Sequence, residues 1–265
     1  MSRTAVFSAL VLRNRPSGES NSEIYLLTAE EGVIRATVFG GPKSKLRSHA
    51  APYNSGKVWI YRDPAKGYGK LSDFDVNSWR PGLRELYERT MAAGGIAETI
   101  LATHGGGGDW EEALSLAAEA LDTMETASEE LCERLLVHFL WRWAGFLGIQ
   151  PQLEGCSVCE GEAGDRALWY SAREHSFLCE NCVSGRSSVP ENAPSAKALS
   201  PTPSSVPNLI QLNQGCRRWL AAIGQMSPSN LYRYSMDIKS FNEAKSFATA
   251  VLIGTLGKRL SSWDW

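Results

Sequence analysis

Four cysteines fall into two close pairs, Cys156-Ser-Val-Cys159 and Cys179-Glu-Asn-Cys182, with nineteen residues between the pairs. Each CxxC turn aims two sulfurs at one point, and two such turns at this separation supply the four thiolates of a tetrahedral Zn²⁺ site. Four thiolates leave no open coordination position, so the zinc, one per chain, is expected to be structural and to hold a small ribbon together. Three alternatives explain less. Two unrelated buried pairs would not need the repeated spacing, no βαβ pattern flanks either pair as a thioredoxin-like redox reading requires, and His175 is surplus to a complete ligand set. Cys132 and Cys216 lie in helical patterns and read as small buried hydrophobes.

A second chemistry is electrostatic. From Arg35 to Lys70 there are eight basic residues against one acid, Asp63, whereas from Leu83 to Arg134 there are twelve acids against three arginines. Such asymmetry is expected when one module meets a polyanion and its neighbour does not. Alternation along two predicted strands puts Arg35, Thr37 and Phe39 on one face of the first, and Lys57, Trp59 and Tyr61 on one face of the second. Cations for phosphates beside flat rings for bases make a platform for single-stranded nucleic acid. The loop from Gly40 to His49 adds Lys43, Lys45 and Arg47. The competing reading packs Phe39, Trp59 and Tyr61 beneath neighbouring helices and leaves the lysines to solvate a loop. A P-loop is excluded, because Pro42 stands where the glycine before the lysine is required.

The elements that must position these groups change character along the chain. Ala5 to Asn14, Ser22 to Thr28, Val33 to Phe39, Lys57 to Arg62 and Leu71 to Ser78 are short strand-like runs separated by turn residues, and suggest a small barrel. After Pro81, the segments Leu83 to Thr103, Asp109 to Glu125 and Ser128 to Leu147 carry helical spacing, with Asp109 and Ser128 as N-caps. Ser187 to Pro207 holds five prolines among serines and reads as an extended connector. Gly215 to Gly224, Pro228 to Asp237 and Phe241 to Leu260 are expected to return as helices and pack on the earlier ones.

The 265 residues are 43% hydrophobic and 21% charged, which excludes a wholly disordered chain. The apolar run from Leu135 to Phe146 is broken by His138 and Arg142, so no membrane span is expected. The amino terminus lacks a small-residue cleavage site, and a cytoplasmic location with reduced cysteines follows as an expectation. Four scattered histidines and the lack of HExxH or GxSxG motifs leave little for acid–base catalysis, so no enzyme is expected.

Several short motifs occur in order: Ala9-Leu-Val-Leu12 followed by Gly18-Glu19-Ser20, the turn Leu27-Thr28-Ala-Glu-Glu-Gly32, the loop Gly41-Pro42-Lys43-Ser44-Lys45-Leu46, and Leu147-Gly148-Ile149-Gln150-Pro151 leading into Cys156. In these the chain resembles, over most of its length, the bacterial recombination mediator family RecO. The resemblance implies an α+β multidomain fold. An N-terminal OB-fold β-barrel would occupy residues 1–80, an α-helical domain would begin with 81–155, an inserted four-cysteine zinc ribbon would span 156–184, and 185–265 would hold a linker and returning helices.

It also implies a non-enzymatic role in DNA repair: binding single- and double-stranded DNA, annealing complementary strands, engaging the single-stranded DNA-binding protein SSB and, with RecR, helping to load RecA. Carried onto this chain, the DNA contacts are Lys43, Lys45 and Arg47, with Arg35 and Lys57 beside them, and the strand alternation adds Trp59 and Tyr61 as stacking rings. The SSB contact needs an apolar groove rimmed by cations in the helical domain, for which Arg134, Arg142, Arg217 and Arg218 are candidates. An adaptor that uses barrel and ribbon for protein contacts alone is the alternative, and a factor acting on RNA is a third reading.

Overall fold

The computed structural model describes residues 3–41, 44–63, 68–187 and 209–263. Five strands, β1 (Thr4–Ser17), β2 (Asn21–Thr28), β3 (Gly32–Val38), β4 (Ser55–Asp63) and β5 (Tyr68–Ser78), close into a barrel in the order β1-β2-β3-β5-β4. β1 pairs antiparallel with both β2 and β4, and a short parallel contact at Thr37 and Lys70 joins β3 to β5. This is the OB-type barrel. Closure removes exposed edges, and alternation does the sorting. Phe7, Ala9, Val11, Ile24, Leu26, Ala36, Val38, Val58, Ile60, Leu71 and Phe74 fill the interior, while their sequence neighbours face outward. The long connection between β3 and β4 contains a short helix, α1 (Lys45–His49).

The helical body uses α2 (Tyr87–Ala102), α3 (Trp110–Met124) and α4 (Glu129–Phe146). Asp109 caps α3 by accepting from the Glu112 N–H at 3.1 Å, and Ser128 caps α4 by accepting from the Leu131 N–H at 3.4 Å. The stretch expected as one helix from Leu83 begins instead as a 3₁₀ turn, Pro81–Arg84, because Arg80 enters it left-handed at φ 45°. That backbone lets the Arg80 side chain turn inward. Gly32, at φ +67°, makes a second joint. A Cβ there would lie 2.8 Å from Nε1 of Trp110, so only glycine lets the β2–β3 turn reach the start of α3.

After α4 the chain enters a small sheet of β6 (Leu168–Ser171), β7 (Ser176–Leu178) and β8 (Leu209–Leu212), ordered β7-β6-β8 and flanked by α5 (Glu180–Ser187). α6 (Gln214–Ile223) and α7 (Ile238–Leu256) then return to the helical body, where Phe247 packs against Trp141, Tyr170 and Phe177. One apolar core runs from Leu10, Leu12 and Leu27 of the barrel through α2–α4 and on to α6, α7 and the ribbon. Two expectations are corrected. Pro228–Arg233 is a 3₁₀ turn, not part of a longer helix, and β8 joins the ribbon although its stretch was expected to be connector and helix. Leu-Ile-Gln-Leu is too short for either period to be read from sequence. Most of the connector, from 188 onward, lies outside the described residues.

Candidate metal centre and nucleic-acid interface

Cys156 and Cys159 flank a tight turn in which the Glu160 N–H donates to the Cys156 carbonyl at 2.9 Å. Cys179 precedes α5 and Cys182 sits in its first turn, so a helix start fixes the second pair as the turn fixes the first. Ser157 ties the two together, its N–H and Oγ both donating to the Phe177 carbonyl of β7, at 2.8 and 2.9 Å. The four sulfurs lie within 4.8 Å of one another. Cys159 Sγ and Cys179 Sγ are 3.8 Å apart, the edge length of a tetrahedron whose metal–sulfur bonds are about 2.3 Å. Burial opposes ionisation of Cys156, but backbone N–H groups of Cys159, Cys179 and Val158 hold its thiol down at about 6. Hydrogen bonding to Cys179, with burial and the other sulfurs, pushes Cys182 up to about 12. Four soft donors at tetrahedral spacing, one already favoured as thiolate, fit a thiophilic divalent cation. His175 lies elsewhere, with Tyr170 Oη 3.3 Å from its Nδ1 and its ring against Gly254 of α7.

The barrel presents the residues expected to meet nucleic acid on its outer surface, but on separate strands and with acids among them. Lys45 and Arg47 are on α1, and Lys43 lies outside the described residues. Arg35 is exposed and paired with Glu23 at 3.3 Å. Lys57, Trp59 and Tyr61 do share one face of β4. Directly across from them on β5 stand Asp75, Asp73 and Lys70 respectively. Opposed residues in an antiparallel ladder share a face with Cβ atoms about 5 Å apart, so two carboxylates interrupt the cationic surface that the sequence count implied. Arg62 is also neutralised, donating to Glu31 through Nη1 at 3.0 Å and through Nη2 at 2.5 Å. Among the described residues, Lys45, Arg47 and Lys70 carry no ion pair. Trp59 and Tyr61 are half-exposed and Phe39 is exposed, and none belongs to the helical core.

The four arginines expected at a partner groove do not gather around one. Arg134 pairs with Glu130 one turn earlier on α4, and Arg142 donates to the Met226 carbonyl at 3.2 Å. Arg218 is exposed beside Asp165. Arg217 is buried, so its expected place at a groove rim is corrected. Its guanidinium donates to the carbonyls of Leu153 at 2.9 Å and of Gly164 and Arg166 at 2.7 Å, and so fastens α6 to the chain entering and leaving the first cysteine pair. A cleft of about 380 Å³ between α4 and α7 comes closer to that description. Val137, Leu140 and Ile253 form an apolar floor, and Lys245 and Arg259, which sequence patterning did not single out, stand at its margin.

Two consecutive models of one family match the chain, recombination protein O N terminal over residues 1–78 and recombination protein O C terminal over residues 84–202. The chain belongs to the RecO family. Its relatives named DNA repair protein RecO include one from Pelotomaculum thermopropionicum, 27% identical over 248 residues that cover 91% of this chain and 94% of the relative. Another, from Synechococcus sp. (strain JA-2-3B'a(2-13)), is 25% identical over 233 residues, 83% of this chain and 81% of its own. That of Bacillus subtilis (strain 168) is 25% identical over 176 residues, 65% and 66% of the two chains. The RecO barrel thus accounts for the N-terminal match, and the helices with the four-cysteine ribbon fall mainly in the C-terminal one. Among the described residues no helix is long and apolar enough to cross a membrane.

Proposed function

We propose that this RecO chain is a non-catalytic recombination mediator in the cytoplasm. In this reading the barrel binds single- and double-stranded DNA and holds complementary strands together until they pair, and SSB and RecR are its partners in helping to load RecA. The observation that carries the reading is α1. Lys45 and Arg47 stand on it without acid partners, in the loop that also holds Lys43, while Arg35 and Arg62 on the strands are already paired. Cations held without acids keep their potential for phosphates, and phosphate neutralisation with counterion release drives binding that is independent of sequence. Two strands repel each other in solution. A positive surface that carries both lowers that repulsion and leaves specificity to base pairing.

Four thiolates holding Zn²⁺ would be a closed structural site, with Cys156, Cys159, Cys179 and Cys182 as ligands. The metal would supply only cross-linking charge, fixing the ribbon beside α6 and α7. The α4–α7 cleft has the apolar floor that an acidic and hydrophobic peptide such as the SSB tail needs, with Arg259 and Lys245 at its margin, the latter paired with Glu133 at 3.1 Å and so open to exchange for a peptide carboxylate, and Arg218 offers a lesser site.

Strand annealing tests the reading. Complementary oligonucleotides coated with SSB should anneal faster with the protein than without it, and the gain should shrink as salt rises. Acceleration on bare strands alone would remove the mediator role. Salt-insensitive or undetectable DNA binding would leave the protein-contact adaptor standing.

A further inference from the structure

The register of the barrel divides its outer face into two zones. In one, Asp75 opposes Lys57 and Asp73 opposes Trp59. In the other, Lys70 lies between Tyr61 on β4 and Thr37 on β3, and Arg3 donates to the Tyr61 hydroxyl at 3.2 Å. Lys70 also places its Nζ 5.5 Å from the centre of the Phe39 ring. Phe39 in turn meets Tyr68, with ring centres 6.4 Å apart and planes tilted by 60°. Phe39 is 40% exposed and Tyr68 37%. Single exposed rings need no explanation, but two in contact beside a lysine without an acid partner form a site.

This arrangement suits one class of ligand. A cation over an aromatic face keeps much of its charge available, and rings tilted to each other present separate faces to separate flat groups. Duplex DNA has no unstacked base to offer, whereas a single strand has a π-face on every base. Trp59 is a poorer platform, because a phosphate flanking a base stacked there would approach Asp73.

We propose that Phe39 and Tyr68 form a base-stacking site for single-stranded DNA, with Lys70 on the adjoining phosphate, and that this pair makes the barrel hold a single strand more tightly than a duplex of the same length. The proposal rests on the reading that the barrel binds DNA, and it deepens that reading by assigning the discrimination to residues outside the α1 loop.

Fluorescence anisotropy with the full chain tests it, using three labelled probes of equal length: oligo-dT, the same backbone with abasic sites throughout, and a duplex. The native protein should bind oligo-dT about tenfold or more tighter than the abasic strand, since stacking discriminates by at least that much. Phe39→Ala with Tyr68→Ala should bring oligo-dT down to the abasic level and leave the dependence of binding on salt unchanged. Phe39→Leu with Tyr68→Leu keeps the bulk without the π-face and should behave the same way. A double variant that still prefers oligo-dT overturns the proposal. Equal binding of oligo-dT and abasic strand by the native protein overturns stacking but leaves DNA binding in place, and failure to bind any probe overturns both.

Discussion

Arg80 and Asp122 meet across the joint between barrel and helices, Nε donating to Oδ1 at 2.6 Å. The same guanidinium donates through Nη1 to the Tyr53 carbonyl at 2.6 Å and to Ser55 Oγ at 3.0 Å, so one buried side chain grips both parts of the molecule. Arg80→Ala should cost about 3 kcal/mol of stability, because it leaves acceptors at the barrel end of the joint without a donor. Chemical denaturation would measure it. A loss below about 1 kcal/mol would mean that water replaces the arginine without difficulty.

Metal content should be about one zinc per chain, and Cys156→Ser or Cys182→Ser should reduce it sharply, because a structural site binds through all its ligands together. Elemental analysis of the purified protein is the direct check. Removal of the metal by a strong chelator should also alter the near-ultraviolet signal of Trp169, Tyr170 and Phe177, which lie on strands of the ribbon. Full retention of that signal in metal-free protein would argue against a structural role.

Changing Lys43, Lys45 and Arg47 together to alanine should weaken DNA binding for every sequence tried. The slope of log K against log salt should flatten by about 2 for single strands, at roughly 0.7 for each phosphate no longer neutralised. An unaltered slope would take the α1 loop out of the interface.

His138 should make stability depend on pH. It is buried on α4, its Nε2 donating to the Met226 carbonyl at 2.8 Å while Nδ1 has no partner. Burial pushes its pKa down to about 4, with the neighbouring Arg142 adding to the effect. The unfolded chain takes up a proton near pH 6.5 and the folded chain resists until near pH 4, so stability is complete above 6.5 and declines as pH falls between those values. The decline attributable to this group is about 3 kcal/mol, and His138→Gln should flatten that part of the profile. Denaturation midpoints taken from pH 7 to pH 4 on both proteins would decide it.

What could be read in advance was what depends on local spacing. The two CxxC turns announce a metal site because their ligands are fixed by a few residues of chain, and the interior of the barrel follows from period-two alternation in runs such as Ile34, Ala36 and Val38. The acids opposite Lys57 and Trp59 were out of reach. Asp73 and Asp75 lie just past the basic stretch, and only the β4–β5 register, with shifts near Ser55 and near Trp59, brings them alongside. Arg217 was misplaced for a different reason. A charge count treats arginine as surface, whereas Arg217 lies three residues before Leu220 and shares its buried stripe with Cys216 and Ile223. That helical position was the available clue to its inward role. The Phe39–Tyr68 contact joins residues that neither period nor motif connects.

The pairing of β6 with β8 sets an order on synthesis. Leu168 to Ser171 meet Leu212 to Leu209, so the middle strand of the ribbon lacks a partner on one side until the ribosome has passed residue 212. The emerging polypeptide therefore finishes its barrel first and waits with a half-built ribbon, whose cysteines are already present for metal to capture.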